Sequence, residues 1–491
     1  MKAVLWHRPC LRILAALPLL APIHALQAKP HPQPRSPRLV FAHYMLSNQD
    51  YASDDPTGER SIASYEREVQ QAQAVGIDGF ALNAGGWLRE PRYIRRASEM
   101  FEAAYRLHSN FKLLFSADMC CAMDADDVED MVRRFANNPR YAPVVFRHND
   151  KVVVTTFAGS NRGLEFWQTL RHDLETGEHP SLHVASASFE YSGGVPSSAP
   201  MQLFLVPSFF WGGETPKQSD IRTGLATYKE ILDGALYWGV AGVPGMGHLP
   251  DQLPSSEAYA TELHADGKLY MAPICFQFWG ANAARYYEYS GYSGMRRMWM
   301  DAIKVSHPEW VELITWNDFI EGTYVSPIDD PARYPDNDLG ASIAPPSTLH
   351  FFHSHRGATE LLAYFIAWYK TGHQPAIRTD QVYWAYRTQI MNRQVEGEPK
   401  IKIYGNVKNV VYITANLTAS AALRMSIGPV TRSVDLPAGS SDVEMPLVAG
   451  PAPHFELVCK DSRRAQGSGD DPISTSGLYP NFYYSTGMMR P

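Results

Sequence analysis

Short β-like runs alternate with longer helix-like stretches through the first three quarters of the chain, and this rhythm constrains the fold more than any other feature. The strand-like runs are 38–45 (Arg-Leu-Val-Phe-Ala-His-Tyr-Met), 79–83, 112–118 (Lys-Leu-Leu-Phe-Ser-Ala-Asp), 151–157, 202–207, 235–241, 269–275 and 310–316. Between them, 61–75 carries Ile62, Tyr65, Val69, Ala72 and Val75 near helical spacing, and 91–108, 125–137, 222–234 and 291–305 read the same way. Eight repeats of strand then helix predict a closed parallel (β/α)8 TIM barrel over 38–375. Such a barrel also accommodates a chain of 491 residues, too long for one ordinary domain of another kind. The Ser-, Gly- and Pro-rich stretch 179–200 breaks the rhythm and reads as an inserted loop.

After 376 the character changes. Val382 to Tyr386, Lys400 to Tyr404, Asn409 to Ala415, Ala422 to Ile427 and Phe455 to Cys459 are short alternating runs separated by Gly, Pro and Asn. They predict a C-terminal antiparallel β-sandwich over 376–462, followed by a polar, then aromatic, tail at 463–491.

At the other end, residues 1–28 contain Lys2, Arg8 and Arg12, no acid, an apolar stretch from Ile13 to Ile23, and the small residues Ala25 and Ala28. That is the pattern of a secretory signal peptide, followed by a Pro-rich linker at 29–37. It predicts a secreted, extracellular or periplasmic, protein. The apolar stretch is too short and too proline-broken to span a membrane. Losing those three positive charges takes the formal net charge from −7 to −10. No basic surface is then expected to grip nucleic acid or an anionic membrane, and a neutral polymer is the compatible partner. Four cysteines remain (Cys120, Cys121, Cys275 and Cys459), compatible with one bridge or with free thiols. No spacing suggests zinc, and the acidic run Asp124 to Asp130 lacks the ligand spacing of a calcium loop, so no metal or cofactor is expected. An acid-rich first helical turn accounts for that run. The absence of a phosphate loop and of a Gly-x-Ser-x-Gly elbow removes support for phosphoryl transfer and serine hydrolase chemistry. One Asn-x-Thr sequon, at Asn416, leaves glycosylation open.

In a parallel barrel, chemistry sits where strands end. The predicted ends carry His43, Asn83, Asp118, Phe209-Phe210-Trp211, Trp238, Phe276-Gln277-Phe278-Trp279 and Trp316-Asn317-Asp318. Singly each has a bland reading: a core histidine, a turn former, a helix cap, a core tryptophan. Together they describe a polar and aromatic ring of the kind that binds sugars. The block Trp316-Asn317-Asp318-Phe319-Ile320-Glu321-Gly322-Thr323-Tyr324 adds two carboxylates at a strand end, as glycosidic bond cleavage requires.

Phe41 to Met45, Gly76 to Asn83, Phe111 to Met119, Tyr270 to Pro273, the Trp316-Asn317-Asp318 block and Tyr383 to Arg387 together resemble glycoside hydrolase family 71, the α-1,3-glucanases or mutanases, over roughly 38–460. The resemblance implies a barrel with a β-sandwich that hydrolyses α-1,3-glucan with inversion. The family block ordinarily runs Trp-Asn-Asp-Tyr-Gly-Glu-Ser; here Phe319, Ile320 and Gly322 depart from it, as does Thr323, while the spacing of Asp318 and Glu321 is kept. The catalytic roles therefore carry over to Asp318 and Glu321. Glu321 is expected as general acid and Asp318 as general base, the reverse assignment fitting the spacing equally well. His43, Asn83, Asp118 and Asn317 are expected to hold sugar hydroxyls, with Trp211, Trp238, Trp279, Trp316 and Tyr324 as aromatic contacts. Inversion needs carboxyl groups about 6.5–9.5 Å apart, so the segment is expected to be extended or splayed; were it helical, Asp118 becomes the better partner for Glu321. Other readings of the same residues are a barrel glycosidase acting on mannan or β-glucan, and a non-catalytic polysaccharide-binding protein.

Overall fold

The computed structural model describes residues 37–48, 55, 57–121, 123–178, 198–213, 215–239, 252–280, 285–328, 353–391, 402–459, 462–475 and 482–491. The expected signal peptide, linker and most of the 179–200 loop lie outside them. Eight parallel strands form one curled sheet: β1 (Leu39–Met45), β2 (Gly79–Ala84), β3 (Lys112–Asp118), β4 (Lys151–Phe157), β5 (Leu203–Pro207), β6 (Gly234–Leu236), β7 (Leu269–Cys275) and β8 (Trp310–Ile314). β1 pairs with β2 on one side and β8 on the other, and pairing continues through β3, β4 and β5 in one direction and β7 and β6 in the other. Between β5 and β6 a single parallel bridge links Ser208 to Leu236.

Helices follow the strands with one apolar stripe each. α1 (Glu59–Ala74) buries Ile62, Tyr65, Val69 and Ala72, the three- and four-residue spacing of one helix face. Each large side chain so buried contributes roughly 1.5–3 kcal/mol. α2 (Arg92–Arg106) and α3 (Ala125–Ala136) pack likewise. The acidic run is structural: Asp124 accepts from the Asp127 N–H and Asp127 from the Asp124 N–H, both at 3.0 Å, a reciprocal cap on α3. Asp130 pairs with Arg134 at 2.8 Å and accepts from the Trp87 indole at 2.7 Å. α4 (Leu164–Thr176), α5 (Gln218–Tyr228), α6 (Gln252–Ala265), α7 (Tyr292–Lys304) and α8 (Arg356–Thr371) complete the set; α5 begins four residues before the predicted 222. No helix among the described residues is long and apolar enough to cross a membrane.

Beyond α8 lie two four-stranded antiparallel sheets. One has β9 (Gln381–Arg387) between β10 (Val410–Leu417) and the C-terminal strand, with β13 (Gly439–Pro446) outside β10. The other is β11 (Ala421–Ile427), β12 (Val430–Leu436), β14 (His454–Cys459) and β15 (Ser462–Ser468), with β12 and β15 at its edges. Their inner faces share one core, in which Trp384 stacks on Phe455 at 4.4 Å. The segment read from the sequence as a tail is corrected here. Ser462–Ser468 is the edge strand β15, and Tyr484–Met489 forms β16, paired antiparallel with β9 along its length. Asn416 stands in β10 with only 1% exposure, so the folded chain does not present its sequon at the surface. All four cysteines are free, which removes the suggested bridge.

The barrel half and the sheets meet at a wholly buried ion pair, Glu288 with Arg387 at 3.1 Å. Glu288 also accepts from the Tyr412 and Tyr484 hydroxyls and the Ser290 N–H; Arg387 also donates to the Tyr286 hydroxyl and the Lys408 carbonyl. Such saturation is what a buried pair requires to offset its lost hydration.

Candidate active site

Side chains two apart on a strand face the same way. Phe41 on β1 and Trp310 on β8 pack against each other at 5.8 Å. Two residues further along each strand stand His43 and Glu312, which therefore occupy the next layer up. Their contact is a hydrogen bond of 2.8 Å between His43 Nδ1 and Glu312 Oε1, with the residues 1% and 0% exposed. His43 Nε2 and Glu312 Oε2 are buried and have no hydrogen-bond partner among the described residues. Asn83 on β2 and Asp118, the last residue of β3, are neighbours in the same region, with the Asn83 amide 3.5 Å from Asp118 Oδ2. The edge of Trp238 lies against the His43 ring at 4.7 Å and against Phe157, the last residue of β4, at 4.8 Å.

After β8 the chain makes a loop whose stems pair: the Thr315 N–H donates to the Thr323 carbonyl and the Val325 N–H to the Thr315 carbonyl. Asn317 ties the tip to the end of β1, its amide accepting from the Met45 N–H at 2.7 Å and donating to the Met45 carbonyl at 3.1 Å. Asp318 then closes the tip on itself. Its Oδ1 accepts from the N–H groups of Ile320 (3.1 Å) and Glu321 (3.0 Å), an Asx-type turn. Gly322 follows with φ +60°, a left-handed conformation that glycine adopts without strain. The segment is thus a tight turn and not the extended stretch that the inversion geometry led us to expect, because the aspartate side chain can satisfy two N–H groups only by folding the backbone back over itself.

Glu321 is half-buried, with protein closely surrounding it. That burial, together with the charge of Asp318, pushes its carboxyl up to about 8; Arg285 opposes the shift and Asp118 adds to it. Asp118 is also raised, first by burial, against hydrogen bonds from the Cys120 N–H, Asn83 and Cys121 and the charge of His43. The site therefore sets Asp118 and Asp318 within electrostatic reach of Glu321, which is held protonated at neutral pH. That is a proton donor with two further carboxyl groups beside it. Among the described residues no group of three or more His, Cys, Asp and Glu is arranged to hold a metal ion.

Of the residues expected from the sequence, His43, Asn83, Asp118, Trp238, Asn317, Asp318 and Glu321 come together in this region. The other four aromatics are held in buried packing contacts. Trp211 stacks on Tyr259 of α6 and presses on Gly224 of α5. Trp279 is 1% exposed, against Phe482 and Tyr286. Trp316 is fully buried on Phe80. Tyr324 is buried against the His355 ring at 3.9 Å, its hydroxyl donating to the His353 carbonyl. Their faces are consumed by core packing. The half-buried rings at the strand ends are instead Phe157 and Phe210, 5.5 Å apart. Glu312 and Arg285 were missed. A lone carboxylate inside the apolar run Trp310 to Ile314 was a usable signal for the first; nothing in the sequence marks Arg285.

Residues 36–487 match glycosyl hydrolase family 71. A glucan endo-1,3-alpha-glucosidase of Schizosaccharomyces pombe is 25% identical, the alignment covering 92% of this chain and 95% of that protein. An ascus wall endo-1,3-alpha-glucanase of the same yeast is 26% identical over 91% and 96%. A mutanase of Penicillium rubens is 23% identical over 92% and 89%. With a strand-end cluster of carboxylates and a family match spanning nearly all the described residues, the chain belongs to glycosyl hydrolase family 71.

Proposed function

We propose that this chain is a secreted hydrolase of α-1,3-glucosidic bonds in α-1,3-glucan, acting with inversion from the C-terminal face of a closed (β/α)8 barrel. The meeting of β5 and β6 at the Ser208–Leu236 bridge supports closure, and the names of the relatives support the substrate. The observation that carries the mechanism is Glu321: a carboxyl on the turn that follows β8, beside Asp318 and Asp118, held near 8. It serves as general acid, protonating the leaving glycosidic oxygen. Asp318 is the general base, orienting a water on the opposite face of the ring. Asn83 and His43 hold sugar hydroxyls, His43 through the Nε2 left after Nδ1 engages Glu312. Phe157 and Phe210 offer the apolar faces.

A second assignment of the base has specific support. Asp318 already spends Oδ1 on two backbone N–H groups in a tight turn, whereas Asp118 approaches from a different strand. The test is reducing-sugar release from insoluble α-1,3-glucan, beside β-1,3-glucan, α-1,4-glucan and mannan, with Glu321→Gln, Asp318→Asn and Asp118→Asn. Release from α-1,3-glucan alone, lowered about 10²–10⁴-fold in Glu321→Gln and Asp318→Asn, is the expected result. Full activity in Asp318→Asn with loss in Asp118→Asn transfers the base to Asp118. Binding to insoluble glucan without release by the unaltered protein overturns the enzymatic reading.

A further inference from the structure

We propose that Tyr483, at the entry to the C-terminal strand β16, is a positioning residue for the turn that carries Asp318 and Glu321, so that the last strand of the chain is a working part of the active site. This deepens the reading just given and rests on it.

The turn is anchored on two sides. On the barrel side the Asn317 amide grips Met45 of β1. On the other side residues 482–484 and Trp279 take hold of it. The Tyr483 hydroxyl donates to the Phe319 carbonyl at 2.7 Å. The same ring fills the space over Gly322: a Cβ built there would stand 2.7 Å from Tyr483 Cε1. Tyr483 thus touches the chain two residues before Glu321 and one residue after it. Its hydroxyl also lies in the field of the Asp318 carboxylate. The neighbours extend the grip. Phe482 stacks on Tyr286 at 4.3 Å and packs on Trp279 at 4.8 Å, and the Trp279 N–H donates to the carbonyl of Glu321 itself at 2.7 Å. The Tyr484 N–H donates to Gln277 Oε1 at 3.1 Å.

These contacts form a small core of their own, separate from those of the curled sheet and the two antiparallel sheets. It joins Phe319 and Tyr324 of the catalytic loop to Trp279, Tyr286 and the pair Phe482 and Tyr483. A turn held only by its own aspartate would let a catalytic carboxyl wander, and displacements of about 1 Å suffice to cost a large part of the rate. Clamping the turn from both sides limits that freedom.

Tyr483→Phe removes the hydroxyl and keeps the ring. Ser485→Ala, on the same strand, removes a hydroxyl that donates to Asp471 at 2.7 Å and lies outside this cluster. Both are compared with the unaltered protein and with Glu321→Gln for kcat, KM and melting temperature on α-1,3-glucan. Losing one neutral hydrogen bond from a positioning contact is expected to lower kcat in Tyr483→Phe about 3- to 10-fold, with KM within about twofold, while Ser485→Ala keeps full kcat at a similar melting temperature. Should Tyr483→Phe fail to fold, Gly322→Ala probes the same contact from the turn and is expected to show the same split. A lowered melting temperature with unchanged kcat makes Tyr483 merely structural and overturns the proposal, as does an equal kcat loss in Ser485→Ala. Full activity in Glu321→Gln instead overturns the assignment of the turn on which the proposal stands.

Discussion

Glu321→Gln is expected to abolish activity and at the same time make the protein more stable at neutral pH. A carboxyl lifted from an ordinary 4.5 to about 8 is protonated in the folded chain at pH 7 and ionised in the unfolded one, so folding there must take up a proton. At about 1.4 kcal/mol per pH unit, that uptake costs nothing below pH 4.5, about 3 kcal/mol at pH 7, and levels off above 8. The sign is that of an acid with a raised value: stability is fully present below 4.5 and is lost as pH rises toward 8. Glutamine carries no such penalty. Because Glu321 is only half-buried as a residue, roughly half the effect, about 2 kcal/mol at pH 7.5, is expected to register. Guanidinium midpoints of both proteins at pH 4.5 and 7.5 provide the assay. A gain at 7.5 that vanishes at 4.5 fits the reasoning; an equal gain at both, or none at 7.5, refutes it. The opposition of stability and activity at one residue is itself the mark of a site strained for function.

The same shift predicts that kcat falls as pH rises through about 8, since the general acid loses its proton there; a pH–rate profile flat to pH 10 would contradict this. Glu288→Gln leaves the Arg387 guanidinium buried without its carboxylate, and a loss of about 3–5 kcal/mol is expected by denaturant titration. The Cys121 thiol, beside Asp118, is pushed up to about 11 by burial and by that carboxylate, so its alkylation by iodoacetamide should accelerate about tenfold per pH unit well beyond pH 9 and lower activity; mass spectrometry of the modified peptide, with Cys121→Ala as control, reads both effects.

How far the sequence reached follows from where local pattern suffices. Parallel strands covered on both faces are continuous apolar runs, so β1, β3, β4 and β7 start and stop within one residue of their predicted limits. The least accurate is β6, only Gly234–Leu236, where Gly239 at φ +49° has already turned the backbone. The edge strand β15 was read as tail because an edge strand facing water carries little apolar signal: Ser462 to Ser468 is mostly exposed and polar. Strand ends also told which polar residues converge, since the parallel order brings His43, Asn83, Asp118 and Asp318 to one face regardless of detail. They did not tell which way the aromatics beyond those ends would point. Past the last paired residue the two-residue alternation no longer applies, and Trp279, Trp316 and Tyr324 turned into core.

The sequence by itself determined the alternation of strand and helix, the antiparallel sheets that follow, the family, and the block bearing both candidate carboxylates, because each is written in neighbouring residues. Only the tertiary structure decided that Glu312 would hold His43 across 269 residues, that Asp118 would share a field with Glu321, and that the final strand would return to clamp the turn. Those pairings depend on how the sheet curls and where the chain end comes back. Contacts between segments hundreds of residues apart leave no periodicity in either one.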